Sequence, residues 1–118
     1  MIILFVAQTS ELLSLLGMNT KGKGYHFVRC AIENILTYQY QPKIFNVYQF
    51  VAKNYSTNVP CVERNIRYAI ERTWECGNLK NIYLMFGYTV NPDKGKPTNS
   101  EFLFMLAERI KMNTKKDA

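Results

Sequence analysis

The residues best suited to chemistry lie in one short segment, residues 58–71, with the sequence NVPCVERNIRYAIE. It places Arg64 and Arg67 beside Glu63. Arginine can donate two hydrogen bonds to guanine, and glutamate can accept one from cytosine. A helix that enters the major groove of DNA contacts bases through side chains of this kind near its N-terminus. The segment therefore indicates base recognition, although spacing alone fits an ordinary charged surface helix equally well.

The same segment has the periodicity of a helix with two different faces. At about 3.6 residues per turn, one stripe is apolar and suited to a core: Val62, Ile66, Ala69, Ile70 and Thr73. The opposite face is polar and holds Pro60, Arg64, Arg67, Tyr68, Glu71 and Glu75, with Glu63 on the flank. Pro60 suits the first helical turn, and Gly77 followed by Asn78 suits the end. We predict a helix from Pro60 to about Cys76.

A helix over residues 47–55 is predicted just before it, and the pair fits a helix-turn-helix. The turn falls at Ser56 and Thr57, where Ser56 takes the place of the glycine often found there. The residues expected to pack where the helices cross are Val51, Ala52, Tyr55 and Val62. Many helical hairpins satisfy this pattern, so it is moderately specific.

The rest of the chain predicts further helices and no convincing strand. Residues 10–16 form one helix, capped by Ser10 and stopped by Gly17, and residues 25–38 and 79–86 form two more. Thr98 and Glu101 have the spacing of a capping box at the start of a final helix. We therefore predict an all-α, compact, roughly six-helix domain containing a helix-turn-helix. Its parts are an apolar lead-in (1–8) that packs on the body or on a second copy, the helix-turn-helix domain (9–112) and a frayed tail (113–118).

Composition narrows the class of protein. The 118 residues carry a net charge of +6, which favours an anionic partner such as nucleic acid or a membrane surface. Cys30, Cys61 and Cys76 lack the spacing of a disulfide framework or a zinc site, so we expect reduced thiols in a cytoplasm, with Cys30 and Cys76 in or near the core. His26 has no catalytic partner at motif spacing, and we expect neither an enzyme nor a cofactor. Residues 2–7 are too few to cross a membrane.

Four motifs carry a resemblance to a known family: VERNIRYAIE (62–71), CGN (76–78), FGYTV (86–90) and KPTNSEF (96–102). In order and spacing they resemble the C-terminal effector domain of the stage-zero sporulation response regulator of endospore-forming bacteria. The resemblance extends from about Thr9 to Met112. It implies a cytoplasmic, nucleoid-associated transcription regulator that reads a short operator box in double-stranded DNA.

Carried over by position, the resemblance makes Glu63 and Arg64 base-reading residues, and makes Arg67 a contact to the backbone or a neighbouring base. Cys61 departs from the family, which has a base-reading arginine there, and Tyr68 replaces a histidine but can still donate to phosphate. Pro60 and Cys61 are expected to lie beside the DNA backbone.

The loop before the capping box offers a second set of contacts. Lys94, Lys96 and the N–H groups from Thr98 to Ser100 are candidates for phosphate binding, because a helix N-terminus attracts anions. Loop solubility explains the lysines equally well.

The resemblance also implies partners. They are the RNA polymerase sigma subunit and a second copy on tandem boxes. The family's phosphorylated receiver domain has no counterpart in these 118 residues, which are either an isolated domain or, as the apolar start favours, a stand-alone protein. The alternative is a protein-interaction module that has lost strong DNA binding and titrates a related regulator or a polymerase subunit.

Overall fold

A computed structural model describes residues 2–87 and 95–117, with side chains described for residues 7–87 and 95–113. The described chain forms six helices: α1 (Ile2–Leu16), α2 (Lys23–Leu36), α3 (Ile44–Asn54), α4 (Val59–Cys76), α5 (Leu79–Phe86) and α6 (Asn99–Asp117). It contains no strand within those ranges. The predicted all-α, six-helix class is confirmed.

Helix α2 forms the centre of the domain, because it packs against α1, α3, α4 and α6. Its apolar residues Val28 and Ile32 are fully buried. They join a core that includes Leu13, Val47, Val51, Ile66, Phe102 and Leu106. Four of the six helices are therefore held in place by one shared neighbour.

Gly24 allows α2 to approach α4 closely. A Cβ atom at this position would lie 2.7 Å from the carbonyl oxygen of Asn65 and 2.7 Å from the Cβ of Ala69. Those distances are too short for any side chain, so the glycine sets the separation of the two helices.

An aromatic cluster packs the far half of α4 against α5 and α6. The Trp74 ring meets the edges of Phe86 and Phe102, with centroids 5.2 Å and 6.0 Å apart. The rings of Phe86 and Phe102 stack at 5.5 Å. Trp74 is thus a packing residue.

Helix α1 begins earlier than predicted. It starts at Ile2, so Ser10 lies inside the helix and does not cap it. Residues 2–7 are apolar all round, and such a run has no periodic stripe that would mark it as helical. Gly17, with φ of +82°, ends α1 as predicted. At the other end of the chain α6 continues to Asp117, through most of the segment predicted to fray.

The end of α1 is bonded to the junction between α4 and α5. The carbonyl of Leu16 accepts a hydrogen bond from the Asn78 N–H at 3.0 Å. The Asn81 side chain donates to the carbonyl of Leu15 at 2.8 Å. These bonds satisfy carbonyls that a helix C-terminus otherwise leaves unpaired.

Within the described ranges, none of the helices combines the length and the hydropathy that crossing a bilayer requires. The three cysteines are free thiols. Cys30 is buried as predicted, whereas Cys76 is exposed, because the last residue of α4 turns away from the core.

Candidate nucleic-acid interface

Helices α3 and α4 and their four-residue connection form the predicted helix-turn-helix. Val51, Ala52 and Val62 are buried where the helices meet, as predicted. Tyr55 was predicted to be a core residue, but its side chain is 46% exposed. It is the residue just after α3 and packs only the edge of the core, with its ring 5.1 Å from that of Phe27.

The turn has the backbone conformation that glycine usually provides. Ser56 has φ of +53°, and no other non-glycine residue in the described part of the chain has a positive φ. Serine in this left-handed region is less favourable than glycine. The turn therefore has a left-handed backbone even though serine does not favour that conformation.

The first turn of α4 is fixed by its own polar side chains. Asn58 caps the helix, since its side-chain oxygen accepts from the Cys61 N–H at 2.8 Å. The Asn65 amide donates to the Cys61 carbonyl at 2.8 Å and contacts its sulfur at 3.4 Å. Pro60 lies in this turn and is exposed. The turn is thus rigid and presents its outer surface to solvent.

Glu63, Arg67 and Tyr68 form a connected group on the exposed face. Arg67 donates to the Glu63 carboxylate, and its guanidinium carbon lies 5.4 Å from the centre of the Tyr68 ring. The hydrogen bond that Arg67 donates to Glu63 raises the pKa of Arg67 above its ordinary value. The charges of Glu63 and Arg67 therefore offset each other in the free protein.

Arg64 has a different environment. It is exposed, and among the described residues its side chain makes no hydrogen bond or ion pair. It is the one arginine of the predicted site whose donors are not already used within the chain.

The loop before α6 comes close to α4. Lys96 lies 3.4 Å from the Glu71 carboxylate, so this candidate phosphate contact is paired in the free protein. Lys94 and most of the FGYTV motif lie outside the described residues.

Thr98 and Glu101 form the predicted capping box. The Thr98 hydroxyl accepts from the Glu101 N–H at 3.2 Å, and the Glu101 carboxylate accepts from the Thr98 N–H at 2.9 Å. The Glu101 carboxylate therefore accepts from the Thr98 N–H in the free protein, and contact of Thr98 with phosphate stays a prediction.

Asn99 is a site residue that the sequence did not indicate. Its amide nitrogen donates to the Tyr48 hydroxyl at 3.1 Å and to the backbone carbonyl of Glu63 at 3.0 Å. These partners are 51 and 36 residues away in the chain, so no local pattern could have found them. Burial raises the pKa of Tyr48, and the bond from Asn99 opposes this effect.

Residues 9–110 match the family described as sporulation initiation factor Spo0A C terminal, which covers nearly the whole chain. The chain belongs to the Spo0A C-terminal family. All of α3, α4 and the connecting turn lies inside the matched range. As a Spo0A C-terminal domain the chain is a DNA-binding domain of a regulator of transcription in sporulation, and this family is regulatory and not enzymatic. The predicted resemblance is confirmed at the level of the family.

Proposed function

We propose that the domain recognises a short operator box by inserting the first half of α4 into the major groove. The observation that carries the proposal is the exposed side chain of Arg64, which has no partner among the described residues and lies next to Glu63 on the face of α4 opposite the core. An arginine with free donors is suited to a bidentate contact with guanine, and the neighbouring carboxylate can accept from cytosine.

The other residues of this face have supporting roles. Arg67 and Tyr68 position α4 on the sugar-phosphate backbone, and Pro60 and Cys61 lie at its edge, beside the DNA. Lys96 contacts phosphate when it leaves Glu71. Contacts of this kind set the register of a protein on the duplex without reading its sequence.

The test begins with selection of duplexes from a randomised library by the wild-type domain. Binding of the selected duplex and of its scrambled counterpart is then measured by fluorescence titration at several salt concentrations. We expect a clear preference for the selected duplex, and affinity that falls steeply with salt because counterions are released. Equal and weak binding to both duplexes would refute the proposal.

The variant Arg64→Ala tests whether Arg64 makes the proposed contact with guanine. Loss of one bidentate pair removes about 1–3 kcal/mol of discrimination, which is a fall in preference of roughly fivefold to 150-fold. Arg72→Ala is the matched control, because Arg72 is an exposed arginine two turns further along α4. It should weaken binding to both duplexes alike. A preference that survives Arg64→Ala contradicts the role of Arg64.

A second candidate function is the binding of another protein. The exposed apolar face of α5 favours this function. Leu79 is 68% exposed and Leu84 is 63% exposed. We propose that this face contacts RNA polymerase, with the sigma subunit as the expected partner. Leu84→Asp should then abolish transcription from the operator without changing operator binding. If the wild-type domain has no operator preference, titration of another regulator becomes the better explanation.

We further propose that two copies pair on tandem boxes. Titration of duplexes carrying one or two copies of the selected box tests this directly. Binding to the second box should be tighter than to the first, and independent binding to the two boxes would exclude pairing.

A further inference from the structure

Three helices meet at the side chain of Asn99, the first residue of α6. Its amide donates to the Tyr48 hydroxyl on α3 and to the Glu63 carbonyl on α4. We propose that Asn99 is a positioning residue for base recognition, which holds the part of α4 that carries Glu63 and Arg64. This inference rests on the proposed function of those two residues.

The chemistry of the partners fixes the orientation of the amide. A backbone carbonyl can only accept, so the amide nitrogen must face Glu63. An NH2 group has two hydrogens, and here one is directed to each partner. The Glu63 carbonyl has two lone pairs, and the α-helical bond from the N–H four residues later uses one of them. Asn99 therefore adds a bond without disturbing α4.

The position of this bond gives it a consequence for recognition. The Glu63 carbonyl belongs to the peptide group that joins Glu63 to Arg64, the two residues proposed to read bases. Asn99 holds that peptide group from the core side, and Tyr48, which is buried, holds Asn99. A contacting group must be placed within about 0.5 Å to act selectively. A hydrogen bond to the peptide group between Glu63 and Arg64 directly restrains the backbone that carries the two reading side chains.

The experiment compares Asn99→Asp with Ser100→Asp. Aspartate has almost the shape of asparagine and suits a helix N-terminus, but it presents an acceptor to the Glu63 carbonyl in place of a donor. Ser100 is the next residue, and no hydrogen bond connects its side chain to α3 or α4 in the described structure. Both variants add the same negative charge beside the DNA, so both lose affinity by electrostatic repulsion.

Preference for the selected duplex over the scrambled one is the deciding measurement. We expect Asn99→Asp to lower this preference about tenfold relative to Ser100→Asp, while the two variants bind the scrambled duplex alike. The salt dependence should also be the same for both, because the number of phosphate contacts is unchanged. Tyr48→Phe removes the second partner and should lower the preference by a smaller factor.

Other results would overturn the inference. Equal preference in the two aspartate variants means that Asn99 does not position the reading residues. An equal loss on both duplexes, together with a lower thermal midpoint by circular dichroism, means that Asn99 only stabilises the fold. If Asn99→Asp does not fold, Asn99→Ala against Ser100→Ala decides by the same criterion. Absence of any preference in the wild-type domain refutes the proposed function itself, and is thus distinguished from failure of this inference.

Discussion

Arg67 donates to the carboxylate of Glu63 from one turn further along α4, so one oxygen of the proposed acceptor for cytosine already accepts a hydrogen bond in the free protein. Glu71, two turns beyond Glu63, is paired in the same way with Lys96 of the loop before α6. On this face, two carboxylates hold two cations that DNA phosphates could otherwise attract. The two pairs differ in one respect, since only Glu63 is proposed to read a base.

That difference predicts that two otherwise equivalent variants will differ in their preference for the selected duplex. Glu63→Ala and Glu71→Ala each remove one negative charge and release one cation, so both should bind scrambled DNA more tightly. Only Glu63→Ala should also lose preference for the selected duplex, by about 1–3 kcal/mol. Fluorescence titration at fixed salt measures both quantities. A loss of preference in Glu71→Ala, or none in Glu63→Ala, would contradict the assignment of Glu63.

Replacement of Cys61 tests whether the family's missing arginine is simply a lost contact. The N–H of residue 61 bonds to Asn58 and its carbonyl to Asn65, and both bonds persist when the side chain changes. Cys61→Arg should therefore fold normally and increase discrimination between operator variants by about 1–3 kcal/mol, the worth of one bidentate contact.

Cys76→Arg is the control for Cys61→Arg, because it adds the same charge at the exposed far end of α4. It should strengthen binding to every duplex by a similar factor. If Cys61→Arg does no more than this control, residue 61 does not contact bases.

The three free cysteines offer a footprint of the interface without any substitution. Burial raises the pKa of the Cys30 thiol, and the reactive thiolate is correspondingly rare. A thiol reagent should modify exposed Cys76 first, partly exposed Cys61 next and Cys30 only on unfolding. The selected duplex should slow the modification of Cys61 and leave Cys76, about 22 Å further along α4, unchanged. Mass spectrometry of the modified peptides gives the three rates, and a Cys61 rate that DNA does not change would place the interface elsewhere.

The local parts of the fold were predictable because their signals are local. Asn58, Pro60 and Gly77 mark the bounds of α4, and Thr98 with Glu101 marks the start of α6, all within a few residues of the feature that they predict. The turn at Ser56 is predictable from its place between two helices, whereas its left-handed backbone is known only from the structure, because serine does not favour that conformation.

The features that were predicted wrongly or not at all depend on information that neighbouring residues do not contain. The start of α1 was missed because an apolar run lacks periodicity, and the exposure of Tyr55 depends on where α3 ends. The two contacts of Asn99 join helices far apart in the chain. The residue types of the site were thus readable from the sequence, whereas the bonds that position them depend on tertiary packing.

Gly24 provides a test of the packing behind the site. Alanine normally favours a helix over glycine by about 1 kcal/mol. Here its Cβ would overlap Asn65 and Ala69, so Gly24→Ala should instead lower the free energy of unfolding by about 1–3 kcal/mol. Chemical denaturation followed by circular dichroism measures the change.

Gly22→Ala is the matched control, since a Cβ there meets nothing closer than 4.0 Å. Its unfolding free energy should stay within about 0.5 kcal/mol of wild type. Equal effects of the two substitutions would show that α2 and α4 can move apart to accept a methyl group.

The hydrogen bonds at the carboxyl end of α1 couple that helix to the junction between α4 and α5. Its 15 residues form a rod about 22 Å long, and its last carbonyls are bonded to Asn78 and Asn81, just past the end of α4. We expect a displacement near Ile2 to reach that junction through the rod, so that whatever is attached to, or packs against, the amino end of α1 alters the orientation of α4. A stiff fusion partner joined at that end would therefore alter DNA binding more than a flexible one of the same mass.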